Sequence, residues 1–226
     1  MAVTFDSWTI NQPAASSFSV TIPSLTNGAC AGTIDGTSSA VTAATFGGVS
    51  ATILDTGTTN GSTPSVSFIV VGVPSGSQTV SLTGGGNYAG VTLLTWYLNG
   101  VDQTTPVNAS HYQASSETNS MNTTNSCWII GSSRDGNPAS SSPLSTARGT
   151  GQPLTAVDAN GMVSPATPFS NVWTGSSGYN FLVAINQVLV VGPTNVKTWD
   201  AVTQSTGIKT YKGVALASVK TVDGLS

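Results

Sequence analysis

The chain has 226 residues, of which 38% are hydrophobic and only 7% charged, with a formal net charge of −3. An average soluble domain is roughly 25% charged, so the polar surface here has to be made from Ser, Thr, Asn and Gly, and acid–base chemistry has few groups to draw on. The length allows one large or two small domains, and an all-β chain of this size often forms one.

The first residues, MAVTFDSWTINQPAASS, carry no basic n-region and no apolar h-region, and Asp6 sits where a signal peptide needs an apolar core. No secretory signal is expected. The longest apolar run, FIVVGV over residues 68–73, is strand-sized and far short of the roughly 18 residues a membrane helix requires. Membrane insertion is therefore not expected.

SFSVTIPSL alternates strictly, with Phe18, Val20 and Ile22 on one side and Ser19 and Thr21 on the other, the pattern of a half-buried strand. SVSFIVVGV (65–73), TVSLTG (79–84), GVTLLTWYL (90–98), SCWIIGS (126–132) and YNFLVAINQVLVVG (179–192) are rich in β-branched and aromatic residues. Between strands lie IDGT, TNGS, VPSGS, TGGGN, LNGVD and DANGM, where Gly or Asn supplies the positive φ of a tight turn. The expected fold is all-β, a β-sandwich or jelly roll of about eight or more strands over residues 1–192, followed by a short C-terminal β-repeat element over 193–226. Residues 133–178, poorer in strand signal and richer in Pro, Ser and Gly, are expected to be long surface loops around one or two strands.

TFGGVSATIL (45–54), FIVVGVPSGSQTVSLT (68–83) and TWYLNGVDQTTPV (95–107) carry a resemblance. Their GGV, PSGSQTV and GVDQTTP phrases resemble those of β-sandwich structural proteins of phage virions and of related bacterial surface domains. The chain departs from that pattern at Phe68 and Ile69, where a Trp-Tyr pair is common, and at TWYLNG, where small residues are commoner. The resemblance covers residues 1 to about 192 loosely. It implies an architecture and a location on the virion surface, with synthesis in the host cytoplasm, and no catalytic activity. GVDQTTP also reads physically as a strand corner: Asn99-Gly100 turns, Asp102 accepts from amides two or three residues on, and Thr105 before Pro106 is held extended. The alternative, Ca²⁺ on Asp102, lacks neighbouring carboxylates at EF-hand spacing.

The tail repeats one phrase three times: VKTWDAV from Val196, IKTYKGV from Ile208 and VKTVDGL from Val219. It resembles C-terminal KTxNGLAxASxK repeats of phage-particle and environmental surface proteins. Each copy reads as strand, turn and return, and a unit this short cannot bury its own apolar face. Val196, Trp199, Ile208, Tyr211, Val214, Val219, Val222 and Leu225 are the expected oligomerisation or docking residues, against the plainer reading of a β-meander closing the sandwich. Charge changes at the same place. Before residue 196 seven carboxylates face only Arg134 and Arg148, for a net −5; after it Lys197, Lys209, Lys212 and Lys220 face Asp200 and Asp223, for a net +2. Tail and body can pair within or between copies, or the lysines are simply solvated.

Candidate chemistry is sparse. Cys30 and Cys127 can bridge two sheets beside Trp128 or remain two buried thiols, and a reducing cytoplasm favours the thiols. Zinc wants four ligands, and the chain has two Cys and one His. A triad of Ser110, His111 and Asp102 is opposed by the strand alternation that sends neighbouring residues to opposite faces, and no GxSxG elbow occurs. Tyr112, Trp173 and Tyr179 are aromatics that can stack on glycans if they lie on loops, or fill the core if they do not. The expectation is a non-enzymatic, cofactor-free virion protein whose partners are other copies of itself, other capsid or tail proteins and host-surface glycans, without nucleic acid. A bacterial adhesin or filament subunit, or a carbohydrate-binding module, are the alternatives.

Overall fold

The computed structural model describes residues 1–59, 63–114, 116–144, 146–151, 154–175, 178–188, 210–211 and 214–215. The chain divides into two units, Met1–Leu189 and Val190–Ser226.

Nine strands make the first half of the body: β1 (Thr4–Asn11), β2 (Ser17–Ile22), β3 (Ala29–Asp35), β4 (Val41–Phe46), β5 (Val49–Ser50), β6 (Thr52–Thr59), β7 (Thr63–Val71), β8 (Gly76–Gly84) and β9 (Thr92–Asn99). Eight make the second: β10 (Val107–Ala114), β11 (Thr118–Met121), β12 (Cys127–Arg134), β13 (Asn137–Pro138), β14 (Thr146–Gly151), β15 (Leu154–Val163), β16 (Phe169–Thr174) and β17 (Tyr179–Asn186). All pairings are antiparallel. The first half forms sheet I, ordered β1-β9-β3-β7-β6, and sheet II, ordered β2-β8-β4-β5. The second forms sheet III, ordered β10-β17-β12-β15-β14, and sheet IV, ordered β11-β16-β13.

The four sheets stack as II, I, III, IV with a core in each gap. Val20, Ile22, Phe46, Phe68, Val80, Leu93 and Tyr97 fill the gap between II and I. Ala31, Leu94, Trp96 and Leu98 meet Trp128, Ile130, Phe181, Val183 and Ile185 between I and III. Met121, Ile129, Val157, Trp173, Leu182 and Ala184 lie between III and IV. Sheets I and III are thus covered on both faces, which is why β3 is buried along its whole length and β9, β12 and β17 along all but their last residue. A strand buried on two faces loses the apolar–polar alternation, and TLLTWYLN and YNFLVAIN read accordingly as near-continuous apolar runs. β2 faces a core on one side only and keeps its alternation, with Ser17, Ser19 and Thr21 outward.

The second half repeats the first. Replacing β10, β11, β12, β13, β14, β15, β16 and β17 by β1, β2, β3, β4, β6, β7, β8 and β9 converts the order of sheet III into that of sheet I, and of sheet IV into that of sheet II without its last strand. The expected β-sandwich architecture is thus present twice in tandem within Met1–Leu189. Residues 133–178 hold β13 to β16 and are not long loops around one or two strands; burial of Leu154, Val157, Phe169 and Trp173 supplies what local strand propensity lacked.

Cys30 lies in the core between sheets I and II and Cys127 in the core between III and IV, both free. This excludes a bridge between them. Burial pushes the Cys30 thiol up to about 12 and the Cys127 thiol up to about 11. Both should therefore resist an aromatic disulfide reagent at pH 8 in the folded protein and react on unfolding. Because these pKa values are raised on folding, their contribution to stability is complete below the unfolded thiol value of about 8.5 and falls as pH rises toward the folded values. Urea midpoints measured at pH 8 and pH 10 check the sign; a higher midpoint at pH 10 would contradict it.

Candidate functional site

In the second unit, β18 (Thr210–Tyr211) pairs antiparallel with β19 (Val214–Ala215), and Tyr211 stands opposite Val214 across residues 212–213. Of the phrase IKTYKGV these paired strands hold Thr210, Tyr211 and Val214, and the rest lies outside the described residues. Val196, Trp199, Ile208, Val219, Val222 and Leu225 lie outside the described residues.

Of the two roles open to Tyr112, Trp173 and Tyr179, the structure favours the one inside the fold. Trp173 sits in β16 and Tyr179 at the start of β17, both 0% exposed. Tyr112, in β10, is half-buried with its ring 5.3 Å from that of Phe181. Its hydroxyl donates to the Thr58 carbonyl at 2.8 Å and accepts from the Thr58 amide at 3.0 Å. Trp173 and Tyr179 are core side chains with no face for a sugar, and Tyr112 is tied across two sheets. Among the described residues the exposed large hydrophobe is Met1.

Charge is distributed just as tightly. Both arginines of the body are committed to buried carboxylates: Arg134 Nη1 to Asp35 Oδ2 at 2.9 Å, and Arg148 to Asp158 through Nε at 2.6 Å and Nη2 at 2.8 Å. The Asp35 and Asp158 side chains are each 0% exposed. The Arg148 guanidinium also lies 4.2 Å over the Phe5 ring of the first sandwich, and its hydrogen bonds to Asp158 push its pKa further up. The N-terminal ammonium donates to the Val188 carbonyl at 2.7 Å. With no lysine before residue 197, the body turns the carboxylates of Asp6, Glu117 and Asp135 to solvent. A polyanion finds no cationic stripe there. Sequence reading did not single out these ion pairs. The available signal was an Asp closing an apolar run in GTIDG and TAVDANG, in a chain with only two arginines.

GVDQTTP is the linker between the sandwiches. Val101 bridges to Gln187, the Asp102 amide donates to the Asn186 carbonyl at 3.0 Å, and Asp102 Oδ1 accepts from the Thr104 and Thr105 amides at 2.8 and 3.0 Å. These are the bonds the corner reading requires. The Thr105 and Thr104 amides hold the Asp102 carboxyl below its usual value. A depressed carboxyl stabilises the fold above its unfolded pKa of about 3.9, and that contribution is lost as pH falls through the folded value. Asp102→Asn should therefore lower stability modestly at pH 7 and flatten the acid limb of the stability–pH curve below about pH 4; an unaltered acid limb would contradict the cap. A cleft of about 350 Å³ opens beside Asp102, lined also by Thr124, Asn125, Ser126 and Gln187. Asp102 is its one carboxylate.

His111 Nδ1 lies 2.7 Å from Asn119 Oδ1, and Asn119 Nδ2 donates to the carbonyls of His111 and Asn180. The histidine is thus held by a buried amide, and Ser110 and Asp102 are not its partners. Comparison of the chain with protein families, curated proteins and solved structures finds no match.

Proposed function

We propose that the chain is a non-enzymatic structural protein on the surface of a phage virion, a capsid decoration, head-fibre or tail-associated protein assembling in multiple copies, and that each sandwich is a jelly roll. The observation that carries the reading is the strand order. The chain crosses between the facing sheets at every step except β4 to β5 and β6 to β7, so that β1-β9-β3-β7 faces β2-β8-β4-β5, and the second half repeats the crossing except at β14 to β15. That connectivity is the one jelly rolls use in viral capsid and lectin domains. Fold alone is an analogy, and the surface adds to it. The outer face of sheet II presents Ser17, Ser19, Thr21, Thr42, Ser77, Thr79 and Thr83, an uncharged hydroxyl coat suited to long exposure outside a cell. A sheet face with so few long side chains loses little rotamer entropy when it is packed against a neighbour in a lattice.

Stacking of host glycans on Tyr112, Trp173 and Tyr179 is not part of the reading, since those rings are used inside the fold. Assembly rests instead on the tail, whose phrases cannot bury their apolar faces singly. The test is the solution mass of the full chain beside a chain ending at Leu189, by light scattering. A defined oligomer that becomes monomeric on truncation is the expected result. A monomer in both cases would remove self-assembly through the tail and favour a stand-alone binding module.

A further inference from the structure

We propose that the face between the two sandwiches is a pairing surface of pseudo-twofold symmetry, on which Asp35 and Arg134 make a first half accept a second half and refuse another first half. The inference does not depend on the virion reading.

Equivalent positions follow from register. Gly32 of β3 stands opposite Thr95 of β9 and Phe68 of β7; Gly131 of β12 stands opposite Leu182 of β17 and Val157 of β15. The residues before them, Ala31 and Ile130, both enter the core between sheets I and III. Gly32 therefore corresponds to Gly131, Thr33 to Ser132 and Asp35 to Arg134. These corresponding residues touch each other. The Thr33 and Ser132 hydroxyls are 2.6 Å apart, and Arg134 Nη1 is 2.9 Å from Asp35 Oδ2. Contact between equivalent residues is the signature of a twofold axis, where position i of one partner meets position i of the other.

The rim of the face repeats the relation with halves exchanged. A Cβ on Gly57 of β6 would overlap the Tyr112 ring of β10, and one on Gly149 of β14 would overlap the Trp8 ring of β1. β6 corresponds to β14 and β10 to β1 in the two strand orders. Each sandwich thus inserts an aromatic from its first strand over a glycine on the other's edge strand.

On such a surface two first halves, or two second halves, are sterically related solutions. Thr33 against Thr33 costs nothing in charge. Asp35 against Asp35 would set two buried carboxylates together, and Arg134 against Arg134 two guanidiniums, while only the mixed pair neutralises both. The ion pair therefore supplies the difference in affinity between the right partner and its own kind.

Two full-length variants test partner choice. Asp35→Arg puts arginine at both positions, and Arg134→Asp puts aspartate at both, so each is mismatched within its own chain. Unfolded together in urea and refolded as a mixture, the two can satisfy both interfaces only by exchanging halves. A tagged Asp35→Arg chain should then retain untagged Arg134→Asp chain at least about tenfold above the retention of wild-type by tagged wild-type treated alike. If neither variant folds alone, recovery of soluble protein in the mixture only gives the same answer. The charge-exchanged double variant should refold by itself, with retention at the wild-type level. Mixed retention no higher than the wild-type control would overturn the proposal even if the double variant is stable, because the pair would then be a structural contact without a role in choosing partners.

Discussion

Replacing Asp158 by alanine is expected to destabilise the protein by about 3–5 kcal/mol, the range for removing one partner from a buried ion pair. Asp158 is the more extensively bonded of the two buried carboxylates. Its oxygens accept both prongs of the Arg148 guanidinium and the Asn160 amide at 2.8 Å. Without it Arg148, whose side chain is 18% exposed, keeps its place over Phe5 but has lost its counter-charge. Arg148→Lys should also cost stability, since an ammonium cannot reproduce the two-pronged geometry or stack on the ring. Urea unfolding followed by tryptophan fluorescence measures both, and an Asp158→Ala midpoint equal to wild-type would refute the assignment.

Trp96→Ala should cost a similar amount, about 3–5 kcal/mol, for a different reason. Trp96 is 1% exposed, stands opposite Trp8 on β1 and Ala31 on β3, and fills the core shared by the two sandwiches. Truncation leaves a void that sheets hydrogen-bonded on both sides of β9 cannot collapse into. Among the described residues its indole Nε1 has no hydrogen-bond partner. Trp96→Phe therefore removes volume without breaking a bond and should cost clearly less than the alanine change. Because the residue joins both halves, loss of stability should appear in one transition monitored by either half. An early transition confined to one sandwich would show that the shared core does not couple them.

These two sites show what the sequence made legible and what it hid. All-β structure was plain in the strand runs and Gly-Asn turns, and the alternation of SFSVTI placed Phe18, Val20 and Ile22 on the core side before any coordinates. The corner at Asp102 is likewise written in local turn chemistry. The duplication was not. The two halves share strand order and register, yet Gly32-Thr33-Ile34-Asp35 matches Gly131-Ser132-Ser133-Arg134 at only one identity, because a sheet buried on both faces constrains size and side more than residue type. β13 to β16 escaped notice because Pro, Ser and Gly dominate their segment while cross-strand pairing and burial, invisible along the chain, hold them in place. The buried ion pairs join residues 99 and 10 positions apart, and only the first of these separations depends on the fold to close it.

We propose that this chain is a building block of a virion, and particle composition tests that. The most direct measurement is quantitative mass spectrometry of density-banded phage particles from a lysate in which the chain is made, with envelopes of uninfected cells as the control. The account predicts the chain in the particles at a fixed ratio to the major capsid or tail protein and its absence from the envelopes. Its presence on uninfected cells and absence from washed particles would contradict that claim and identify a bacterial surface protein instead.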